Sequence, residues 1–214
     1  MLQCVLSFLT SEQRATVFAV QSTLTGVTPL HCAVMSNDLK TTKYILQSLR
    51  SECRCFTVLK VTDNRGNTAL NLISTPKLMH CVSSYVGADL FCQLLSIKND
   101  NKQTPPHTAV LSENMKLLKE LLNLTSNKHL VNILNHRDSW NRSALDKAGL
   151  EIIQLIVTSI SKKNAFALLK DKDCQGDTFV HKLVMWDCSS EFFEITLTPL
   201  GVDEQLELLQ MATI

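Results

Sequence analysis

The sequence predicts an all-α solenoid of about five stacked helix-turn-helix units, each with a short β-turn finger and an extra connector helix. Three observations predict it. One short pattern recurs five times along the 214 residues, each copy starts with a hydroxyl residue suited to cap a helix, and an apolar stripe with helical spacing precedes each copy. Self-similarity of this length is typical of repeat proteins, in which each unit buries its apolar face against its neighbours.

The repeated pattern is clearest in TGVTPLHCAV, which begins at residue 25. It returns as RGNTALNLI at 65, NKQTPPHTAV at 101, WNRSALDKA at 140 and QGDTFVHKLV at 175. The glycine-like positions on which the copies align are Gly26, Gly66, Lys102, Asn141 and Gly176, at intervals of 40, 36, 39 and 35 residues. The predicted units of this single array are 22–60, 61–98, 99–137, 138–172 and 173–214, and 1–21 is the tail of a preceding unit or an N-terminal cap.

The start of each unit carries the chemistry of a turn followed by a helix. A hydroxyl residue follows the glycine-like position by two, where it can accept a hydrogen bond from the first free N–H groups of a helix. These residues are Thr28, Thr68, Thr104, Ser143 and Thr178. Pro29 and Pro105 then occupy the first helical position, where the missing N–H is harmless. Aspartates three residues before the glycine-like position indicate a tight turn in three copies: Asp63, Asp138 and Asp173.

The extra length of each unit has a pattern of its own. Apolar residues stand 11, 8 and 7 places before each glycine-like position, which is the i, i+3, i+4 spacing of one helical stripe. We therefore expect a connector helix between the second helix of one unit and the next finger. The stripe residues are Ala15, Phe18 and Ala19; Cys55, Val58 and Leu59; Phe91, Leu94 and Leu95; Leu130, Ile133 and Leu134; and Ala165, Leu168 and Leu169.

Two copies depart from the pattern. In the second, we expect Pro76 to fall within the inner helix and to end it early. In the fourth, the segment LDKAGLEIIQLI reaches the second helix about one turn sooner than in the first copy. Loose or tilted stacking is expected at both places. The apolar end segments LQCVLSFL and LELLQM predict either a cut from a longer array or packed caps.

The motif D-x-x-G-x-T-P-L-H, followed by an alanine-containing helix and a second leucine-rich helix, is similar to the ankyrin repeat. The stretch TGVTPLHCAV is nearly its consensus, and the resemblance covers about residues 20 to 200. It implies β-turn fingers and pairs of antiparallel helices stacked into a curved array that binds proteins. It also implies that His31, His107 and His181 hydrogen-bond with the turn, a capacity that Asn71 and Asp146 keep at the same position.

The sequence gives little support for catalysis, metals or cofactors. The pair His31–Cys32 is disfavoured as a dyad because its histidine recurs at one phase of the repeat, and a catalytic histidine is needed once. Zinc is disfavoured at Cys53, Cys55, His80 and Cys81, since the spacing C-x-C departs from the usual one. No nucleotide-binding or nucleophile-elbow motif is present. We therefore expect no enzyme activity, no cofactor and no small-molecule substrate.

The charge and the composition limit the classes of partner and the cellular compartment that the sequence supports. The 21 basic residues are nearly matched by 20 acidic ones, which gives no case for nucleic acid or an anionic membrane. The N-terminal stretch lacks a basic region and reads as an amphipathic helix rather than a signal peptide. The eight cysteines are scattered beside apolar residues, which favours a reducing compartment, cytoplasmic or nuclear.

The hypothesis that remains is a non-enzymatic module that binds a partner protein through its concave face and finger tips. Aromatic and arginine residues are enriched at interface hot spots, and both tryptophans fall at positions outside the stripe. The predicted partner-binding residues are Trp140, Trp186, Arg65, Arg142, Met35, Met185, Leu111 and Gln175. As an alternative, each tryptophan packs against its own neighbouring finger. Other functions left open are the recognition portion of a larger enzyme, channel or ubiquitin-ligase subunit, and an inhibitor-like regulator of a Rel-type transcription factor, suggested by GDTFVHKLV.

Overall fold

The computed structural model describes residues 8–173, 175–185 and 190–211, and regular structure in these ranges is helical. An isolated antiparallel bridge between Thr62 and Thr68 is the only β pairing found among them. The prediction of an all-α repeat solenoid is confirmed.

Three kinds of helix alternate along the chain. The inner helices follow the fingers: Pro29–Met35, Ala69–Leu72, Pro105–Leu111, Ala144–Lys147 and Phe179–Met185. The outer helices come next: Leu39–Leu49, 76–86, Met115–Leu124, Leu150–Ser159 and Ser190–Leu197. The connector helices lead to the next finger: Glu52–Leu59, 88–95, Asn127–Leu134, Lys162–Lys170 and Val202–Met211. Ser11–Ala19 precedes the first finger at the place of a connector helix and packs against the first outer and connector helices.

The connector helices predicted from the apolar stripe are present, and they are short because capping residues interrupt the chain between them and the outer helices. Ser51 and Ser161 accept hydrogen bonds from backbone N–H groups three residues later, at Arg54 and Asn164. The stripe residues from Cys55 onward are buried. The long units of this repeat are therefore built from three helices rather than two.

The third unit shows how the units stack. Adjacent residues of its helices belong to two different apolar clusters, so that one side packs towards the second unit and the other towards the fourth. Leu117 and Leu121 belong to the first cluster, whereas Leu118 and Leu122 belong to the second. The third unit is thus a layer covered on both sides, as expected when a repeat buries its core against its neighbours.

The two irregular copies have shorter inner elements than the other three, as the sequence predicted, but they differ from the expectation in detail. Their inner elements are single 3₁₀ turns, Ala69–Leu72 and Ala144–Lys147, instead of full α-helices. The prediction that Pro76 lies within the inner helix is wrong, because Pro76 is the first residue of the second outer helix, where its missing N–H leaves no bond unmade. The 3₁₀ turns are nevertheless well packed, since Ala69, Leu70 and Ala144 are almost fully buried.

The segment Pro76–Leu95 is long and apolar enough to cross a membrane by length and composition. Half of that apolar window is buried inside the array, and Gly87 interrupts the helix with φ 70° and ψ 163°. Only glycine adopts that conformation readily, so the segment is two shorter helices joined at a corner. Its apolar character is that of the array's core.

Candidate functional site

The surface formed by the finger turns and the exposed ends of the inner helices, called the finger face here, is built on a repeated turn. In the fourth finger, Asp138 Oδ1 accepts hydrogen bonds from the N–H groups of Trp140 and Arg142, both at 2.9 Å. Asp63 and Asp173 close their turns in the same way. The positive φ at each glycine-like position, from 56° at Lys102 to 93° at Gly176, completes the turn.

Successive fingers are joined through their tips. The carbonyl of Thr25 accepts a hydrogen bond from the next finger at 3.0 Å, that of Arg65 accepts one at 3.1 Å, and that of Asn101 accepts one at 2.9 Å. The donors are the N–H groups of Asn64, Asp100 and Ser139. These bonds join the backbones of the first four finger tips into one row.

His31 ties the first inner helix to the finger of the next unit. The N–H of Thr28 lies 3.2 Å from His31 Nδ1, and Thr28 Oγ1 lies 2.8 Å from the same nitrogen. His31 Nε2 lies 3.0 Å from the carbonyl oxygen of Asn67. Since a carbonyl only accepts, Nε2 carries the proton and Nδ1 accepts from Thr28.

His107 repeats this arrangement one finger further on. Thr104 Oγ1 lies 2.7 Å from its Nδ1, and its Nε2 lies 3.3 Å from the carbonyl oxygen of Arg142. Burial lowers the pKa of His31 and of His107 below the ordinary value, and the carbonyl bonds oppose this shift. With both nitrogens in use and the rings neutral, the position holds units together.

Asn71 and Asp146 occupy the position of His31 in the second and fourth units, and they differ in their hydrogen bonds. Asn71 Oδ1 accepts from the N–H of Thr68 at 3.1 Å, but its Nδ2 is buried without a hydrogen-bond partner in the described part of the chain. Asp146 Oδ2 accepts from the N–H of Ser143 and from Arg137, both at 2.8 Å, and Oδ1 accepts from Lys182 at 3.0 Å. Lys182 belongs to the next inner helix, so an ion pair takes the place of the histidine–carbonyl bond there.

The residues predicted to bind a partner lie at the places that the repeat phase assigned to them. At the ends of the three full inner helices, Met35 is 61% exposed, Leu111 is 49% exposed and Met185 is 71% exposed. Arg65 and Gln175 are exposed at finger tips. Trp186 lies outside the described residues. Partner binding by this set stays a prediction.

Trp140 and Arg142 form a rigid pair on the fourth finger. The Arg142 guanidinium lies 4.5 Å from the centre of the Trp140 ring, and its Nε and Nη2 donate to Asp138 Oδ2 at 3.1 and 2.8 Å. Burial raises the pKa of Asp138, but the hydrogen bonds from Arg142 and the turn outweigh it and hold the pKa below its usual range. Trp140 is 55% exposed, so one ring face is stacked while the rest meets solvent.

Two exposed apolar residues of this face were missed by the sequence reasoning. Leu24, 87% exposed, borders a cleft of about 400 Å³ that Met35, Arg65 and Leu72 also line. The next three fingers carry Asn64, Asp100 and Ser139 at the position of Leu24, so the repeat phase gave no signal for an apolar residue there. Val184 is exposed beside Met185, whereas Val34 and Val110 at the same position of the repeat are buried, so the repeat phase indicated the opposite.

The cysteines do not form a metal site in the part of the chain that the structure describes, where no group of three or more His, Cys, Asp or Glu is placed to hold an ion. Cys53 is exposed, whereas Cys55 is buried and its Sγ donates to the Leu46 carbonyl at 3.4 Å. Burial raises the pKa of Cys55 to about 11, so its thiol stays protonated. His80 pairs with Glu120 at 3.0 Å.

Comparison with known proteins agrees with the repeat pattern. Residues 25–52 match the family model described as Ankyrin repeat. No curated protein matches the sequence significantly. One similar solved structure is the crystal structure of the ankyrin repeat domain of Bcl-3, described as a unique member of the IkappaB protein family. It is 15% identical, with a TM-score of 0.34, over 86% of this chain and 99% of that chain, a likeness too low to support an argument about function.

Proposed function

Since this chain is an ankyrin repeat protein, we propose that it is a non-enzymatic interaction module that binds a partner protein through its finger face. The finger tips and the ends of the full inner helices supply the contacts. The partner chemistry that suits this face is apolar side chains, with hydrogen-bonding groups towards the fingers.

The observation that carries the proposal is the set of exposed large apolar side chains on the finger face. Met35, Leu111 and Met185 end the three full inner helices, and Trp140 stands on the finger between the last two. Exposed apolar residues grouped on one face mark interaction sites more often than scattered single ones do. Trp140 has the further property of a hot-spot residue, since Arg142 stacks on it and restrains it before binding.

Affinity purification from cells, comparing the wild type with Trp140→Ala and Leu111→Ala, tests the proposal. Partners of this face should be lost from both variants and kept by Lys162→Ala, a control on an exposed connector-helix residue. With the recovered partner in hand, each of the two substitutions should weaken binding by more than about 1 kcal/mol. Equal recovery of every partner by all variants would contradict a role of the finger face.

The other functions considered from the sequence receive no specific support. The likeness to the Bcl-3 domain is too weak in TM-score to favour regulation of a Rel-type factor. A role as the recognition portion of a larger enzyme, channel or ubiquitin-ligase subunit uses the same face, so it is compatible with the proposal. Those two functions stay predictions.

A further inference from the structure

A second surface, on the outer helices, carries a recurring pattern of positive residues. Lysine stands at the second residue of the first three outer helices, and a lysine or histidine stands three residues later. All six side chains belong to exposed residues. The six, called the basic band here, are Lys40, Lys43, Lys77, His80, Lys116 and Lys119.

The starts of these three helices are held side by side. Thr75 Oγ1 donates to Asn37 Oδ1 at 2.8 Å, and Asn114 Nδ2 donates to the carbonyl of Ser74 at 2.7 Å. The second outer helix packs against the first and the third. Since packed helix axes lie about 8–10 Å apart, the basic band is about 20 Å wide, which about six residues of extended chain would span.

The band ends abruptly. The fourth outer helix carries Glu151 and Gln154 at the corresponding places. Among the residues described by the structure, the five lysines of the band form no ion pair within 4.0 Å, whereas His80 pairs with Glu120. The neighbouring carboxylates are Asp38, which caps the first helix through the N–H and hydroxyl of Thr41, and Glu113. The five lysines therefore outnumber the carboxylates of Asp38, Glu113 and Glu120.

Lys40, Lys77 and Lys116 stand where helix electrostatics disfavours them. The first turn of a helix favours acidic side chains, because the free N–H groups there carry partial positive charge. None of the three helices has an acidic residue in its first turn, and each has a lysine instead. A local rule broken three times in register points to a use for the charge outside the helix itself.

A cleft of about 550 Å³ opens inside the band. Lys43, Lys77 and His80 stand around it, and Glu120 lines it from the third helix. Apolar groups form much of its lining, namely Leu39, Pro76, Cys81 and Tyr85. A ligand that fits it combines negative charge with an apolar side chain.

We propose that the outer-helix face of the first three units is a second docking surface, which binds an acidic segment of a partner protein with an apolar side chain in this cleft. The lysines of the basic band pair with the carboxylates of the segment. An acidic protein segment suits the surface better than nucleic acid does, since Asp38, Glu113 and Glu120 interrupt the positive field that a continuous polyanion would need. Acidic segments can place their charges to avoid those three carboxylates.

Fluorescence anisotropy with a labelled peptide tests the proposal on the full chain. The probe is a glutamate-rich peptide of about eight residues with one central leucine, long enough to cross the band. Lys43→Glu/Lys77→Glu should weaken its binding by about tenfold or more, through lost and reversed surface pairs. Lys162→Glu/Lys163→Glu changes the net charge equally on an exposed connector helix and should leave binding unchanged. Lys43→Arg/Lys77→Arg should keep binding, and circular dichroism confirms that each variant folds.

Further probes separate the ligand classes. Replacing the leucine of the peptide by serine should weaken binding, because the peptide then places no apolar side chain in the cleft. Raised salt should also weaken binding, because it screens the charge pairs. Equal loss in the control double variant, or no binding of the peptide by the wild type, would overturn the proposal. So would tighter binding of a single-stranded oligonucleotide or of phosphatidylserine vesicles, with that binding lost in Lys43→Glu/Lys77→Glu.

Discussion

The units with a histidine at the third residue of the inner helix differ from those with asparagine or aspartate in two linked ways. Units one, three and five have seven-residue α-helices there, whereas units two and four have four-residue 3₁₀ turns. The first and third units bond to a following finger through the far nitrogen of histidine, at Asn67 and Arg142. The fourth reaches the next unit through an ion pair, and the Nδ2 of Asn71 in the second has no such partner among the described residues.

The third position of the inner helix therefore has two roles, which are to cap the start of the helix and to bond to the next unit. Capping the start of the helix needs only an acceptor three residues on, which nitrogen or oxygen can supply. A bond to the next unit needs a second polar atom on the far side of the side chain. Nε2 of the imidazole ring supplies it in the first and third units. The shorter carboxylate of Asp146 makes the connection only because the long side chain of Lys182 reaches it from the next unit. The alternation also spaces the exposed apolar ends of the full inner helices two units apart on the finger face.

Asp146→Ala should have the largest effect on the free energy of unfolding, a loss of about 3 kcal/mol. The substitution leaves the half-buried Arg137 and Lys182 short of a partner and removes the acceptor for the N–H of Ser143. Urea denaturation measures the loss. Arg137 keeps Asp171, and Lys182 keeps Asp173 at 3.1 Å, which limits the effect.

Asp146→Asn is the matched control for that prediction. Its amide oxygen can still accept from Ser143, so it should lose less stability than the alanine variant does. Equal losses in the two variants would mean that the ion pairs, and not the helix cap, account for the whole effect. A loss under about 1 kcal/mol in both would contradict the ion-pair tie between units.

His31→Ala should cost about 2 kcal/mol, and Asn71→Ala about 1 kcal/mol. The histidine substitution removes a fully buried side chain, breaks the bonds to Thr28 and takes away one donor to the carbonyl of Asn67. The asparagine substitution also removes the buried Nδ2, whose lack of a partner is already a cost. Urea midpoints of the two variants, measured side by side, test the difference. If Asn71→Ala lost as much stability as His31→Ala, the bond from histidine to the next finger would add nothing to the helix cap, which contradicts the comparison.

The repeat phase predicted the helices well because the start and the buried face of each helix depend on residues close together in the sequence. Hydroxyl caps, turn aspartates and a stripe of period 3.6 act within about ten residues, so the sequence exposes them directly. The reading failed at Pro76, where the pair Thr75–Pro76 was an unrecognised start of the second outer helix. It indicated that the inner elements of the second and fourth copies are short, but it gave no sign that they are 3₁₀ turns.

The candidate site was predictable only where the repeat phase applied. Met35, Leu111 and Met185 could be placed on the surface because they share one position of the inner helix. Contacts between units, such as Lys182 with Asp146, join residues 36 apart and depend on how the layers stack. Leu24 shares its repeat position with the polar residues Asn64, Asp100 and Ser139, so the exposure of an apolar side chain there followed only from the fold.

Acidification should destabilise the array as the pH falls below about 6.5. Burial lowers the pKa values of His31, His107 and His136 in the folded chain, so the unfolded chain binds more protons around that pH. The stabilising contribution is therefore fully present above the unfolded pKa and is lost progressively as the pH falls from there through the lowered folded pKa. Melting temperatures between about pH 7.5 and pH 5.5 measure the loss.

The double variant His31→Asn/His107→Asn tests the origin of that pH dependence. It makes the first and third units resemble the second, with a side chain that does not titrate in this range. The variant should be less stable at neutral pH, and its melting temperature should fall less on acidification. An unchanged slope would assign the pH dependence to other groups.

The smallest effect is expected from Trp140→Ala, a change in the free energy of unfolding of about 0.5 kcal/mol or less. The ring is more than half exposed, and its main partner, Arg142, remains fixed by two hydrogen bonds to Asp138 after the ring is gone. The lost stacking on Arg142 belongs to the weak, exposed kind. The difference between the fluorescence spectra of the wild type and Trp140→Phe isolates the emission of Trp140, which should lie towards the red and be quenched readily by acrylamide. Blue-shifted, quencher-resistant emission would place the ring in the core. Trp140 would then be a structural residue like His31, and it would leave the set proposed to bind a partner.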